Sequence, residues 1–238
     1  MIPKKIYQTW KTQKLPNKIS KLHKNMLNKN PNYDHIIYTD EQMNDFMNSN
    51  ADKEIRELYW KMNHIVAKAD IWRYTILYEK GGVYLDIDSI INKSLDGLIR
   101  DKDKAIITAE KNQNLFVQWA LIFSKNHKIL EYTLTNILKD VSLGKNKNNH
   151  HALTVENYAK AVFKFVEKSE QIINWKEITK NTNITYKTAD GEFKLYGVDY
   201  NDYFSFKHKY NHLLRNRPKG EELETHWSNK QKVNQVYS

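Results

Sequence analysis

Two hydrophobic periods alternate over the first ninety residues. Residues 2–10 (IPKKIYQTW) step at period two and predict a strand, with Ile6 inward and a polar, aromatic end at Gln8, Thr9 and Trp10. Residues 18–29 place Ile19, Leu22 and Met26 at helical spacing, with His23 beside them and lysines on the other side. Asn30, Pro31 and Asn32 form a turn signal, and residues 35–39 (HIIYT) predict a second strand. Thr39 or Asp40 can cap a helix over 41–48, and a further helix follows over 52–62. Strand and helix in alternation predict an α/β fold with a mostly parallel central sheet, in which ligands bind beyond the carboxyl ends of the strands.

The most informative stretch is residues 67–90, AKADIWRYTILYEKGGVYLDIDSI. Ile65, Ala69, Trp72 and Ile76 recur at helical spacing and predict one apolar face. Asp70 and Arg73 are three apart and so are neighbours on another face. Gly81 and Gly82 end the helix and permit a turn with positive φ. Residues 83–87 then alternate as a strand, with Val83, Leu85 and Ile87 on one side and Tyr84, Asp86 and Asp88 on the other. That spacing sets the two carboxylates roughly 6–7 Å apart. Like charges this near are costly unless a cation sits between them. Mg²⁺ and Mn²⁺ take oxygen ligands, often one or two carboxylates together with substrate phosphates. Asp86 and Asp88 therefore predict a divalent-cation site for a diphosphate. A D-x-D is short, and a solvated strand end with two surface acids is the alternative that the bare pattern leaves open.

Further on, residues 105–109 (AIITA) predict a strand, and 115–123 are strongly apolar with Gln118 as the odd polar member. An amphipathic helix is expected over 127–139, a polar loop over 144–149, and a helix over 156–168. His150 and His151 read as solvated loop residues, with no second ligand at useful spacing. Asp190-Gly191 between two short strands is a hairpin signal. The aromatics of 200–210 either line an acceptor groove or pack against the sheet. Trp10 is either a core residue or a stacking wall for a nucleobase. His226 and Trp227 follow all regular elements; they either pack locally or fold back to supply a third ligand near the aspartates.

At 238 residues the chain fits one domain, with a donor-binding core over about 1–130 and acceptor-side elements after it. It contains no cysteine, which excludes disulfides, thiolate metal sites and a cysteine nucleophile. No apolar run reaches membrane-spanning length, and the first residues lack a signal-type apolar core, so a cytoplasmic protein is expected. The net charge of +10 favours phosphates and anionic membrane surfaces, so peripheral contact with the inner face of a membrane is an expectation too. No nucleic-acid motif is present and no nucleic-acid partner is expected, although a basic polyanion-binding domain with an incidental D-x-D is the competing class. G-x-S-x-G, Walker A, G-x-G-x-x-G and H-E-x-x-H are absent from the sequence.

The combination of I-P-K-x-I-x-Q-T-W at the start with A-D-x-x-R-Y-x-x-L-Y-x-x-G-G-x-Y-x-D-x-D resembles the DXD glycosyltransferases of family 32, which include yeast initiating α-1,6-mannosyltransferase and bacterial capsular sugar transferases. Residues 118–130 (QWALIFSKNHKIL) are similar to that family's Q-W-x-x-x-S-x-x-H-P-I-L segment, with Lys128 where proline is usual. The family's T-G-P segment should fall near 150–154, where HHALT stands instead. The resemblance implies a GT-A (Rossmann-like) nucleotide-sugar-binding fold. It also implies a retaining transferase that uses a UDP- or GDP-sugar with Mn²⁺ or Mg²⁺, acting on a glycan, lipid-linked or capsular acceptor. A toxin-like protein glycosyltransferase is a variant of the same reading. Carried over, Asp86 and Asp88 hold the cation on the donor's diphosphate and act as the catalytic pair. Asp70 and Arg73 bind the donor sugar, and Gln8 and Trp10 border the nucleotide. His226 completes the metal or diphosphate site, with Trp227 and Ser228 beside it.

Overall fold

In the computed structural model, which describes residues 1–111, 114–169, 171–200, 202–205 and 235–238, the expected alternation builds one seven-stranded mixed sheet. The elements in chain order are β1 (Lys5–Thr9), α1 (Asn17–Asn28), β2 (Asp34–Tyr38), α2 (Asp40–Asn50), α3 (Lys53–Lys61), α4 (Ile65–Lys80) and β3 (Gly82–Leu85). Then follow β4 (Ile90–Ile91), a 3₁₀ turn (Leu95–Gly97), β5 (Ala105–Ala109), β6 (Ala120–Phe123), α5 (Lys128–Ser142), α6 (His150–Val166), β7 (Asn183–Thr188), β8 (Gly191–Val198) and β9 (Phe204–Ser205). The sheet order is β2-β1-β3-β6-β5-β8-β7, and β4 pairs with β9 in a separate two-stranded ribbon. β1 runs parallel to both β2 and β3, and β5 is parallel to β8. β6 lies antiparallel between β3 and β5, so β3 and β5 point the same way and their carboxyl ends share one edge. Among the described residues no helix is long and apolar enough to cross a membrane.

Local chemistry explains the element boundaries. Thr39 caps α2 in a reciprocal box: its hydroxyl accepts from the Gln42 amide and the Gln42 side chain accepts from the Thr39 amide. Gly81 and Gly82 carry φ of 64° and 121°, and a Cβ on Gly82 would stand 2.9 Å from the Lys5 carbonyl, so the turn between α4 and β3 needs both glycines. Asp190 precedes Gly191 (φ 131°) in the β7–β8 hairpin, as its turn signal predicts.

The structure departs from the pattern in three places. α4 is not amphipathic: every residue from Asp70 to Leu77 is buried, while Ile65, expected on the apolar face, is 48% exposed. The helix lies against the sheet and also meets α2, α3, α5 and α6, so it has no solvent face over its middle. α6 begins at His150, with Asn149 capping it through the Ala152 amide, so the histidines belong to a helix and not to a loop. β3 stops at Leu85, and Asp86 to Ser89 form a turn closed by the Ser89 amide on the Asp86 carbonyl (2.9 Å). Asp86 and Asp88 therefore sit on a turn beyond the strand and not on one strand face. Tyr200 and Phe204 are buried and pack against Trp119, so at these two positions the aromatic segment after β8 packs against the core.

Candidate functional site

β1 leads through α1 to β2 on one side of it, while β3 pairs on its other side. The gap between β1 and β3 is thus a point where connections diverge, and open α/β sheets bind ligands at such points, beyond the strand ends. Trp10 follows β1 and the D-x-D turn follows β3, so both stand at the carboxyl edge of this gap. Trp10 is partly exposed there, its amide bonded to the Tyr38 carbonyl (3.0 Å).

α4 runs back along the sheet from that edge and delivers two charged side chains near its first turns. Arg73 bonds the Asp70 carboxylate directly, and its Nη1 donates to the Gln118 carbonyl (2.9 Å). The same Nη1 lies 3.7 Å from Asp86 Oδ1. Tyr84 donates its hydroxyl to Asp86 Oδ1 (2.7 Å), and the guanidinium lies 4.8 Å over the Tyr84 ring. Arg73 thus spans from the helix carboxylate to the first aspartate of the D-x-D. Burial works against its charge, yet Tyr84 and Asp86 outweigh that and leave its pKa raised. Burial drives the Tyr84 hydroxyl far above its ordinary pKa, which keeps it a donor to the carboxylate.

Two participants were not nominated from the sequence. His150, at the start of α6, places Nε2 2.9 Å from Asp70 Oδ2, and it is 5% exposed rather than solvated. Burial, then the nearby Arg73, lowers its pKa to about 4, so it stands neutral beside Asp70. It stands where the family pattern departs, and that departure was its one sequence signal. Gln118 accepts from the Tyr74 hydroxyl, and its polarity inside an apolar run marked it in the sequence. Its Nε2, like Arg73 Nε, is buried with no partner among the described residues.

Gln8, expected to border the nucleotide, is fully buried, with Nε2 donating to the Asp86 carbonyl (3.2 Å) and Oε1 accepting from His35 Nε2 (2.6 Å). Both ends of its amide are spent inside the protein. His226, Trp227 and Ser228 lie outside the described residues. Asp70, Arg73 and Asp86 are brought into one connected group, with Asp88, 8% exposed, two residues on.

The donor set fits a hard divalent cation. Asp86 and Asp88 offer carboxylate oxygens on one short turn, and no group of three or more His, Cys, Asp or Glu able to hold a metal occurs among the described residues. Two carboxylates with the balance of ligands from phosphate and water is how Mg²⁺ is commonly held. A groove between β2 and α2, lined by Ile37, Tyr38, Phe46 and Asn50 among others, contains none of these residues and is separate from this site.

Parallel strands with a D-x-D turn where they diverge agree with the GT-A fold that the sequence resemblance implies. The solved structure titled PaToxG Glycosyltransferase superposes with a TM-score of 0.60, over 70% of each chain at 22% identity, which supports that fold. Residues 16–106 match the family described as "Glycosyltransferase sugar-binding region containing DXD motif", so this part of the chain carries the region that the sequence resemblance pointed to. The chain is similar to inositol phosphoceramide mannosyltransferase 3 of Schizosaccharomyces pombe, 38% identical over 41% of this chain and 27% of that protein. It is also similar to the initiation-specific alpha-1,6-mannosyltransferase of Candida albicans, 28% identical over 61% of this chain and 44% of that protein. The matched regions thus cover less than half the length of either relative.

Proposed function

We propose that the protein transfers a sugar from a nucleotide-sugar donor to a glycan or lipid-linked acceptor, with Mn²⁺ or Mg²⁺ and with retention at the sugar carbon. The observation that carries this reading is Arg73, which contacts both Asp70 and Asp86 and so joins the buried Asp70 carboxylate to the D-x-D turn. Asp86 and Asp88 would hold the cation, which when bound would offset the negative charge growing on the leaving diphosphate. Asp70, fixed by Arg73 and His150, accepts hydrogen bonds from donor hydroxyls. Arg73 Nε and Gln118 Nε2 are buried beside this group without partners among the described residues, so a small rearrangement on donor binding would let them meet a sugar oxygen or a phosphate. Trp10 offers a face for the base. No carboxylate is assigned as a nucleophile; the leaving phosphate serves as base for the incoming hydroxyl on the same face.

The mannosyltransferase names of the two relatives put nucleotide-linked mannose first among donors to try, and an inositol-containing lipid among acceptors. The basic chain would favour an anionic acceptor or the surface of an anionic membrane. The test is donor turnover across UDP- and GDP-sugars with Mn²⁺, Mg²⁺ or EDTA. The expected result is cation-dependent turnover of at least one donor, lost with EDTA. Turnover indifferent to EDTA, or steeply salt-dependent nucleic-acid binding with no donor used, would overturn it.

A further inference from the structure

A polar chain crosses the α1 side of the sheet beneath the D-x-D turn. It begins at His35 on β2, passes to Gln8 on β1, and ends on the Asp86 carbonyl just past β3. A second arm comes from α1, where His23 Nε2 lies 3.2 Å from the Ile87 carbonyl. The two imidazoles meet edge to face with centroids 5.5 Å apart. Gln8 is fully buried and His23 is 4% exposed, in a layer otherwise made of Ile6, Met26, Tyr33 and Val83. Polar groups in such a layer are costly unless each is bonded.

The strand ladder explains what these groups bond. β1 and β3 pair at Ile6–Val83 and Tyr7–Tyr84, and no further pair follows. Beyond Tyr84 the two strands separate, which opens the crevice. The Asp86 and Ile87 carbonyls therefore have no β1 backbone to meet, and side chains take its place. The directions of the bonds are fixed by chemistry. Gln8 Nε2 donates to a carbonyl, so its Oε1 must accept, and His35 must carry its hydrogen on Nε2. The Ile87 carbonyl likewise requires the hydrogen of His23 on Nε2, and its buried Nδ1 has no partner that a second hydrogen could use. Burial, then the neighbouring His23, keeps His35 neutral, with its pKa lowered to about 4.

We propose that Gln8, His35 and His23 are positioning residues that hold the backbone of the D-x-D turn, and so the spacing of Asp86 and Asp88, in the geometry that binds a divalent cation with a nucleoside diphosphate. The proposal rests on the reading of Asp86 and Asp88 as the cation site. These residues touch neither cation nor substrate; they act through two carbonyls of the turn.

The test is Mn²⁺ binding, followed by electron paramagnetic resonance with and without UDP or GDP, in the wild type and in Gln8→Met, His35→Leu and His35→Gln. Partners one step removed from a metal ligand commonly change affinity by about 10–100-fold, so Gln8→Met and His35→Leu should weaken Mn²⁺ binding by about tenfold or more. His35→Gln keeps a donor for Gln8 and should stay within about threefold of the wild type. A purely structural role would lower the unfolding temperature of these variants while leaving Mn²⁺ affinity unchanged, and that result would overturn the proposal. A wild type that binds no Mn²⁺ under any of these conditions would instead remove the cation-site reading itself, and this proposal with it. Imidazole nitrogen–proton correlation spectra of the wild type test the same claim without any variant. They should show the Nε2–H form at both His23 and His35, and an Nδ1–H form at either one would contradict the assigned bonds.

Discussion

Arg73 ties the Asp70 carboxylate to the first aspartate of the D-x-D turn. It is buried, bonded to Asp70, and within ion-pair distance of Asp86. Removing one member of a buried ion pair leaves its partners uncompensated and costs about 3–5 kcal/mol. Arg73→Met should therefore lower unfolding free energy by about that amount at neutral pH, measured by urea denaturation. Adding Asp70→Leu should restore part of it; a double variant as weak as the sum of the singles would contradict the pairing. The i, i+3 spacing of Asp70 and Arg73 was legible in the sequence. Their burial was not, because that spacing is equally common on solvated helix faces. Gln8 was legible as a strand-end polar residue, but its bond to the Asp86 carbonyl was not, since that depends on where β1 and β3 diverge.

At the scale of elements, local signals read well where a turn or cap fixed the boundary. Thr39 before α2, the glycine pair before β3 and the Asp190-Gly191 hairpin all fall where turn chemistry placed them. Period alone served less well. α4 is buried on all sides over its middle, so the one-faced pattern expected for it gave Ile65 the wrong environment. The start of α6 was missed because the residues before it are polar and the helix signal lies in Asn149, a cap that needs the Ala152 amide in place to be recognised. The glycine turn yields a prediction. Gly82 has φ of 121° and no room for a Cβ against the Lys5 carbonyl. Gly82→Ala should destabilise by about 1–3 kcal/mol through backbone strain alone, with further loss from the clash. An unfolding midpoint unchanged within error would show that the turn relaxes freely.

The whole molecule brings the carboxyl ends of β1, β2, β3 and β5 to one edge, and this was foreseeable from strand–helix alternation. The antiparallel insertion of β6 was not, because residues 115–123 are apolar apart from Gln118 and give no direction. The fold also buries histidines in neutral form, which sets its response to acid. His35, His127 and His150 each have a pKa lowered from 6.5 to about 4, chiefly by burial. The unfolded chain takes up protons at these sites below about pH 6.5, and the folded chain declines them until about pH 4. Stability therefore falls as pH drops through that window; Glu110, pushed up to about 7 by burial, opposes the three histidines by one proton, which leaves about two protons' worth of slope. Denaturant melts at pH 7.5, 6 and 5 should show progressively lower stability; a flat profile from pH 7 to 5 would contradict the buried, neutral assignments.

Asp88→Asn puts the proposed clamp of Asp86 and Asp88 on a cation and a leaving nucleoside diphosphate to the test. The variant keeps the size of the side chain and removes one ligand charge. With the donor that the wild type uses best and Mn²⁺ present, the account predicts a loss of donor turnover of about a hundredfold or more, a loss of some 3 kcal/mol in transition-state stabilisation, with the fold intact by circular dichroism. Turnover by Asp88→Asn equal to the wild type, in Mn²⁺ and in EDTA alike, would contradict it.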